Sequence, residues 1–330
     1  MSNSVSRRAV LRAMGGMAAL ATTASWGQTA AAWPQRSIRI IVPVASGGII
    51  DLLARAVSEA LTSQYKFPLV VESKPGADHL IGIKHVAQSE PDGYTWLFAS
   101  VPFTVNPALR RDPGYDALKD FRPLALIATG VNVLVVPSSL PARTLAEFVD
   151  LAKSKPGTLN YGNPGNGSSN HLGMELFKSE AGLDIVGVPY KGQPPAITDL
   201  LAGRLDAMLM TSSLAASHIK AGSLRPLALV SLERDPAFPD VPTMKEGGYP
   251  GVDVVPWFGL LVPAKTPDAV VDKISKDLQA ALKSPALLNS IKNIGSVPAA
   301  PNPPQEFENL IQRELAKWPA VLERAGIEKT

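Results

Sequence analysis

The sequence predicts an α/β fold built in more than one compact part. Three observations lead there. Short apolar runs alternate with amphipathic stretches through residues 33–330, the pattern of strands joined by helical crossovers. Two glycine-rich turns each stand between an apolar run or strand end and a helical pattern. The chain's 330 residues, 45% of them hydrophobic, exceed one ordinary small domain and fit two.

Taken in order, residues 1–32 read as an export signal. Arg7-Arg8 and Arg12 form a basic start, residues 13–24 are small and apolar, and Ala30-Ala31-Ala32 fits a cleavage site before Trp33. The paired arginines resemble a twin-arginine signal, and a plain secretory signal fits as well. Without the three leader arginines the balance is 29 basic against 29 acidic residues, so the mature surface gives no support for nucleic-acid binding. There is no cysteine, which excludes disulfides, thiolate catalysis and zinc–thiolate sites.

Strands are expected at 38–44, 69–72, 95–99, 124–129, 133–136, 185–189, 205–210, 224–230 and 258–262, in largely parallel sheets. Leu53, Val57, Ala60 and Leu61 share one helical face. Thr144 and Glu147 form a capping box. Thr266-Pro267-Asp268 opens a helix with a cap, a proline and an acid, whose apolar face is Val270, Val271, Ile274, Leu278 and Leu282. A last helix begins near Pro303-Pro304, and Pro319 is expected to kink or split it.

The first glycine turn is Ala45-Ser46-Gly47-Gly48, after a strand and before a helix, which is the context of an anion site. It lacks the Gly-Lys-Ser/Thr of a Walker loop and the third glycine of a dinucleotide fingerprint, so an ordinary strand-to-helix turn explains it equally well. Asp51 in the first helical turn fits a structural role best, because a carboxylate complements the helix dipole but repels an anion. The second turn, 162–170, holds three glycines with Asn163, Asn166, Ser168, Ser169 and Asn170. That density of small donors suits capture of a carboxylate without a formal positive charge. Tyr190 can close a pocket, and Lys191 reads as solvent-exposed. His79, His85, His171 and His218 show no metal-ligand spacing. No Gly-x-Ser-x-Gly elbow is present, and no partner is marked for Ser46.

The chain resembles the solute receptors of tripartite tricarboxylate transporters, the Bug family, over nearly all of residues 33–326. The likeness is carried by Trp33-Pro34, Ile38-Arg39-Ile40-Ile41-Val42-Pro43, Gly47-Gly48 with Asp51, Glu72-Ser73-Lys74-Pro75-Gly76-Ala77 and Pro91-Asp92-Gly93-Tyr94-Thr95. It continues through Leu159-Asn160-Tyr161-Gly162, Gly165-Asn166-Gly167-Ser168, His171-Leu172, Val188-Pro189-Tyr190-Lys191-Gly192, Pro239-Asp240-Val241-Pro242-Thr243 and Trp257-Phe258-Gly259. The resemblance implies a two-lobe periplasmic binding protein fold, type II-like, with a cleft between two mixed or parallel sheets flanked by helices. Lobe one would be 33–131 with 254–330, and lobe two 132–253. Carried over by position, the ligand residues would be Ser46, Gly47, Gly48 and Asp51, then Asn163, Gly165, Gly167, Ser168 and Ser169. Ser100, Val101, Phe103 and Tyr190 would complete the wall.

Three places depart from the family pattern. Ile50 stands where a hydroxyl is usual, Asp78-His79-Leu80 replaces Gly-Gly-Asn, and Ser100-Val101-Pro102-Phe103 replaces a Ser/Thr-Gly-rich loop. A donor lost opposite a charged oxygen costs about 1–3 kcal/mol. The expected ligand is therefore a carboxylate with an apolar or aromatic part near Ile50 and Phe103. The expected function is a periplasmic, monomeric, non-enzymatic receptor that delivers this ligand to a membrane permease, without cofactor, metal or nucleic acid. Alternatives are a ligand-loaded sensory accessory protein, or a hydrolase using Ser46.

Overall fold

The computed structural model describes residues 33–231, 233–235 and 237–329. The export signal lies outside the described residues. From Pro34 onward the chain forms one compact unit. In chain order, β1 (Ile38–Val42), α1 (Ile49–Tyr65), β2 (Leu69–Ser73), α2 (Leu80–Ala87), β3 (Thr95–Ser100), α3 (Pro102–Leu109) and β4 (Phe121–Thr129) come first. Next are β5 (Asn132–Pro137), α4 (Leu145–Ser154), β6 (Asn160–Asn163), α5 (Ser169–Ala181), β7 (Val186–Pro189), α6 (Gln193–Leu201), β8 (Met208–Thr211), α7 (Ser212–Lys220) and β9 (Leu224–Val230). The chain closes with β10 (Trp257–Pro263), α8 (Asp268–Ala281), α9 (Pro285–Asn293), β11 (Val297–Pro298) and α10 (Pro304–Arg324).

The first sheet has the order β11-β4-β10-β3-β1-β2. β1 is parallel to β2 and β3, so right-handed crossovers put α1 and α2 on opposite faces. A strand covered on both faces reads as a continuous apolar run, and Ile38, Ile40, Ile41 and Val42 are fully buried. β10 enters antiparallel between β3 and β4, and β11 pairs antiparallel with β4, so the sheet is mixed and not largely parallel. An apolar run reads alike in both directions, and only its neighbours fix its sense.

The second group has a three-stranded antiparallel sheet, β8-β5-β9, and a parallel pair, β6-β7. A parallel bridge from Tyr161 to Ala207 links them. β6 is a strand that the sequence hid, since Asn160-Tyr161-Gly162-Asn163 has no apolar run.

The Thr144 cap at α4 forms, and the return bond of the expected box goes one residue earlier, to Arg143. Thr144 Oγ1 accepts from the Glu147 N–H at 3.2 Å, and Glu147 Oε2 accepts from the Arg143 N–H at 2.6 Å. α10 runs unbroken through Pro319, contrary to the expected split. Proline removes one hydrogen bond there. Buried Trp318, Val321 and Leu322 hold the helix on both sides of the gap, and the Trp318 indole donates to Thr104 Oγ1 of α3 at 3.0 Å. Among the described residues no helix is long and apolar enough to cross a membrane.

The two strand groups touch beyond their connections. A Cβ on Gly295, in the turn before β11, would lie 1.9 Å from Ser213 Cβ and 2.7 Å from its Cα at the start of α7. Gly295 also holds φ +78°. Gly295→Ala therefore meets a backbone clash and a left-handed conformation together. Chemical denaturation should show a loss of about 2–4 kcal/mol; a loss under about 0.5 kcal/mol, the range of ordinary surface changes, would contradict this packing.

Candidate functional site

The turn after β1 brings Ser46, Gly47 and Gly48 to the start of α1. Gly47 takes φ +86°, and Gly48 is the N-cap with no side-chain cap. The first N–H groups of α1 are thus left without a capping side chain, as an anion site requires. Asp51 is buried, 2% exposed. Its Oδ2 accepts from the Gly47 N–H at 3.0 Å, and Arg55 Nε and Nη2 donate to its two oxygens at 3.0 and 3.1 Å. Burial pushes the Asp51 carboxyl up, and the Arg55 and Gly47 bonds outweigh that and leave it below its ordinary value. Asp51 is therefore the clasp of the turn. The Gly47 amide, expected to meet ligand, is spent on it. Ser46 stays exposed and Gly48 half-buried.

At the end of β3, the buried Ser100 Oγ has no hydrogen-bond partner among the described residues. The Val101 carbonyl starts α3 by accepting from the Thr104 and Val105 N–H groups at 3.0 and 3.1 Å. Phe103 corrects the expectation. Its ring, 1% exposed, stacks on Tyr115 at 5.6 Å and meets Phe121 edge-on at 5.1 Å. The aromatic cluster draws it into the core, so its ring offers no surface to a cleft. Ile50 is buried too, and Ile49 is the half-exposed isoleucine of the pair.

The second turn spends most of its side chains on itself. Asn163 Nδ2 donates to Asn166 Oδ1 at 2.9 Å, and Asn163 Oδ1 accepts from the Gly165 N–H at 3.0 Å. The Gly167 N–H donates to His171 Nδ1 at 3.3 Å. Ser168 caps α5, its Oγ accepting from the His171 N–H at 3.2 Å. Gly165 and Gly167 hold φ +148° and +73°. A Cβ on Gly167 would press on Val105 Cγ1 of α3 at 3.2 Å, so this turn of the second strand group lies against the first. The density of donors that marked the turn in sequence builds its shape. Among the described residues nothing takes the Ser169 and Asn170 N–H groups at the start of α5 or the protons of Ser168 and Ser169. Tyr190 donates its hydroxyl to Asp199 Oδ2 at 2.7 Å, and its N–H to the Asn163 carbonyl at 2.7 Å.

Sequence reasoning missed Asn132, Gln193 and Thr211. Asn132, fully buried, donates to Ser169 Oγ at 3.1 Å and accepts from Asn170 Nδ2 at 3.1 Å. Gln193 Nε2 donates to Thr211 Oγ1 at 2.6 Å. No local pattern marks these residues, because strand register and crossover bring them together. The β2–α2 turn was noticed only as a departure. Gly76, Ala77, Asp78 and His79 take φ +121°, +46°, +51° and +75°, three of them without glycine's freedom. Asn106 Nδ2 donates to the Asp78 carbonyl at 2.9 Å, and Arg110 pairs with the Asp78 carboxylate.

The match to known proteins is now decisive. The family described as tripartite tricarboxylate transporter family receptor matches residues 53–327. The chain belongs to that family. A UPF0065 protein of Bordetella pertussis is 35% identical to this receptor over 297 residues, 90% of this chain and 91% of the relative. Among solved structures, R. palustris Rpa4515 with adipate aligns with TM-score 0.85 and 33% identity, covering 90% of the receptor and all of that chain, 100%. MatC from Rhodopseudomonas palustris with bound malate aligns with TM-score 0.82 and 29% identity, covering 88% and 100%. The receptor thus has the two-lobe periplasmic binding protein fold.

His79 makes the β2–α2 turn sensitive to acid. It keeps some surface, but enough packed atoms surround the imidazole that burial pushes its pKa down from 6.5 to about 4. The unfolded chain then binds the proton first, so stability present above pH 6.5 is lost as pH falls toward 4. His171 is shifted in the same direction, chiefly by burial, and adds to the trend. His79→Asn removes the proton site and places in the left-handed position a residue that tolerates it. Melting midpoints at pH 7 and pH 4.5 should fall less with acid in the variant than in the wild type; an equal fall would refute the role of His79.

Proposed function

We propose that the protein is an exported receptor that captures a small organic carboxylate between its lobes and presents it to a tripartite tricarboxylate-type permease. Lobe one is 33–131 with 254–330, and lobe two is 132–253. The observation that carries this reading is the pair of helix starts, α1 behind Gly48 and α5 behind Ser168, whose free N–H groups and dipoles favour an anion. The ligand bridges the two, stabilises the closed form, and so shifts the hinge equilibrium. The complexes of relatives with adipate and malate support a carboxylate. Ser46, Gly48, Ser100, Ser168 and Ser169 are the residues best placed to meet it.

With Ile50 and Phe103 turned inward, Ile49 and Leu52 are the apolar side chains that the first turn of α1 leaves on the surface. That favours a flexible aliphatic acid over an aromatic one. Ser46 makes no hydrogen bond to a histidine or carboxylate among the described residues, so nothing in the geometry favours the hydrolase.

A thermal-shift series tests this with adipate, malate, benzoate and the uncharged adipamide. Adipate at 100 times its dissociation constant should add about 2.7 kcal/mol of stability. Malate and benzoate should add less, and adipamide almost nothing. A shift with adipamide equal to that with adipate, or no shift with any acid, sinks the carboxylate reading.

A further inference from the structure

We propose that Ser169 and Thr211 form a pair of obligate hydrogen-bond donors that recognises a carboxylate oxygen of the ligand, with Asn132 and Gln193 as the positioning residues that set their direction. This rests on the receptor reading above and names the side chains of lobe two that read the charge.

The direction of each hydrogen bond is forced by the main chain. The Leu209 carbonyl can only accept, so Asn170 turns its amide nitrogen toward it, at 3.0 Å. The same nitrogen donates to Asn132 Oδ1 at 3.1 Å, which turns the Asn132 nitrogen toward Ser169 Oγ at 3.1 Å. Ser169 is thereby an acceptor on this side, and its own proton must point elsewhere. No acceptor takes it among the described residues.

An independent chain gives the same result at Thr211. Its N–H can only donate, and Gln193 Oε1 accepts it at 2.9 Å. Gln193 Nε2 must then face Thr211 Oγ1, at 2.6 Å. Thr211 is the N-cap of α7, yet its hydroxyl makes no cap. Its proton, too, has no acceptor among the described residues.

Register brings the two hydroxyls together. Asn132 of β5 lies directly opposite Thr211 of β8, so their side chains share one face of the sheet. Ser169 is the first residue of α5 and is bonded to that same Asn132. Ser169 and Thr211 are 8% and 4% exposed. Two buried O–H groups with fixed oxygens and unclaimed protons, at the starts of two helices, suit an oxygen that carries only lone pairs. A ligand ammonium has none to offer and is rejected, and an amide can offer only its uncharged carbonyl oxygen, which makes the weaker bond.

The test is calorimetric titration of the purified protein with adipate and with adipamide. Thr211→Val and Ser169→Ala should each weaken adipate about tenfold or more and the already weak adipamide by less, since an uncharged carbonyl oxygen gains less from each donor. Thr211→Ser keeps the hydroxyl and should stay within about threefold of the wild type, which also controls for folding. Gln193→Met should weaken adipate in the wild type but add nothing to Thr211→Val, a coupling that a purely structural role would not produce. If folded Thr211→Val and Ser169→Ala bind adipate as the wild type does, the donor pair is wrong and the receptor reading stands. If the wild type binds none of adipate, malate and benzoate, the receptor reading falls and takes the pair with it.

Discussion

The hydrogen bond from the Gly130 N–H to the Pro256 carbonyl, at 2.8 Å, ties together the two places where the chain passes between its strand groups. The placement of one strand group against the other starts from it. Gly130 ends the run out of β4, and Pro256 precedes the return into β10. A Cβ on Gly130 would meet Pro256 Cβ at 3.1 Å and Phe258 Cε2 at 3.4 Å, so the approach leaves little room for a side chain. Crossings paired in this way form a short ribbon, the place where the proposed closure would turn one strand group against the other. Beside it, the Ser212 N–H donates to the Val131 carbonyl at 2.8 Å, so the start of α7 is pinned to the same ribbon.

The turns around the cleft are stiffened by charges that cancel. Arg55 covers Asp51 within α1, whose carboxylate also holds the Gly47 N–H of the turn before it, and Arg110, just past α3, covers Asp78 of the β2–α2 turn. Half-exposed pairs like the second contribute little to global stability. Their effect is local: each fixes a turn whose backbone would otherwise relax, including the left-handed run before α2. They also leave the two arginines without free charge for a ligand. Attraction for an anion then comes from helix ends and oriented hydroxyls.

How much of this the sequence disclosed depends on how local each feature is. The buried strands were legible because two covered faces demand unbroken apolar runs, as in Ile38–Val42 and Trp257–Pro263. The Thr144 cap was legible because donor and acceptor lie three residues apart. The sense of β10 was not, since composition carries no direction, and neither was β6, whose burial comes from its neighbours. At the site, the two glycine turns were placed where the sequence put them, but their hydrogen bonds were misassigned. Composition counts donors without saying which are already taken. The asparagines of the second turn are consumed in shaping it, and Phe103 prefers two aromatic neighbours to a cleft wall. Asn132, Gln193 and Thr211 were invisible because a crossover and a strand register, both long-range, bring them together.

The absence of a committed positive charge from these turns fits the task of a receptor that must release what it binds. A hydrogen bond to a charged oxygen contributes about 1.5–3 kcal/mol. A few of these, if gained only in the proposed closed form, would give useful affinity that is surrendered as the lobes part. A buried arginine facing the ligand would behave differently. Opening would leave it desolvated and unpaired, at a cost of several kcal/mol, so closure would persist and release would be slow. Neutral donors with fixed direction avoid that penalty, because water can replace the ligand oxygen at each of them. Specificity in the proposed site then rests on geometry: a hydroxyl oriented by Asn132 or Gln193 donates well only to an oxygen that lies along its line.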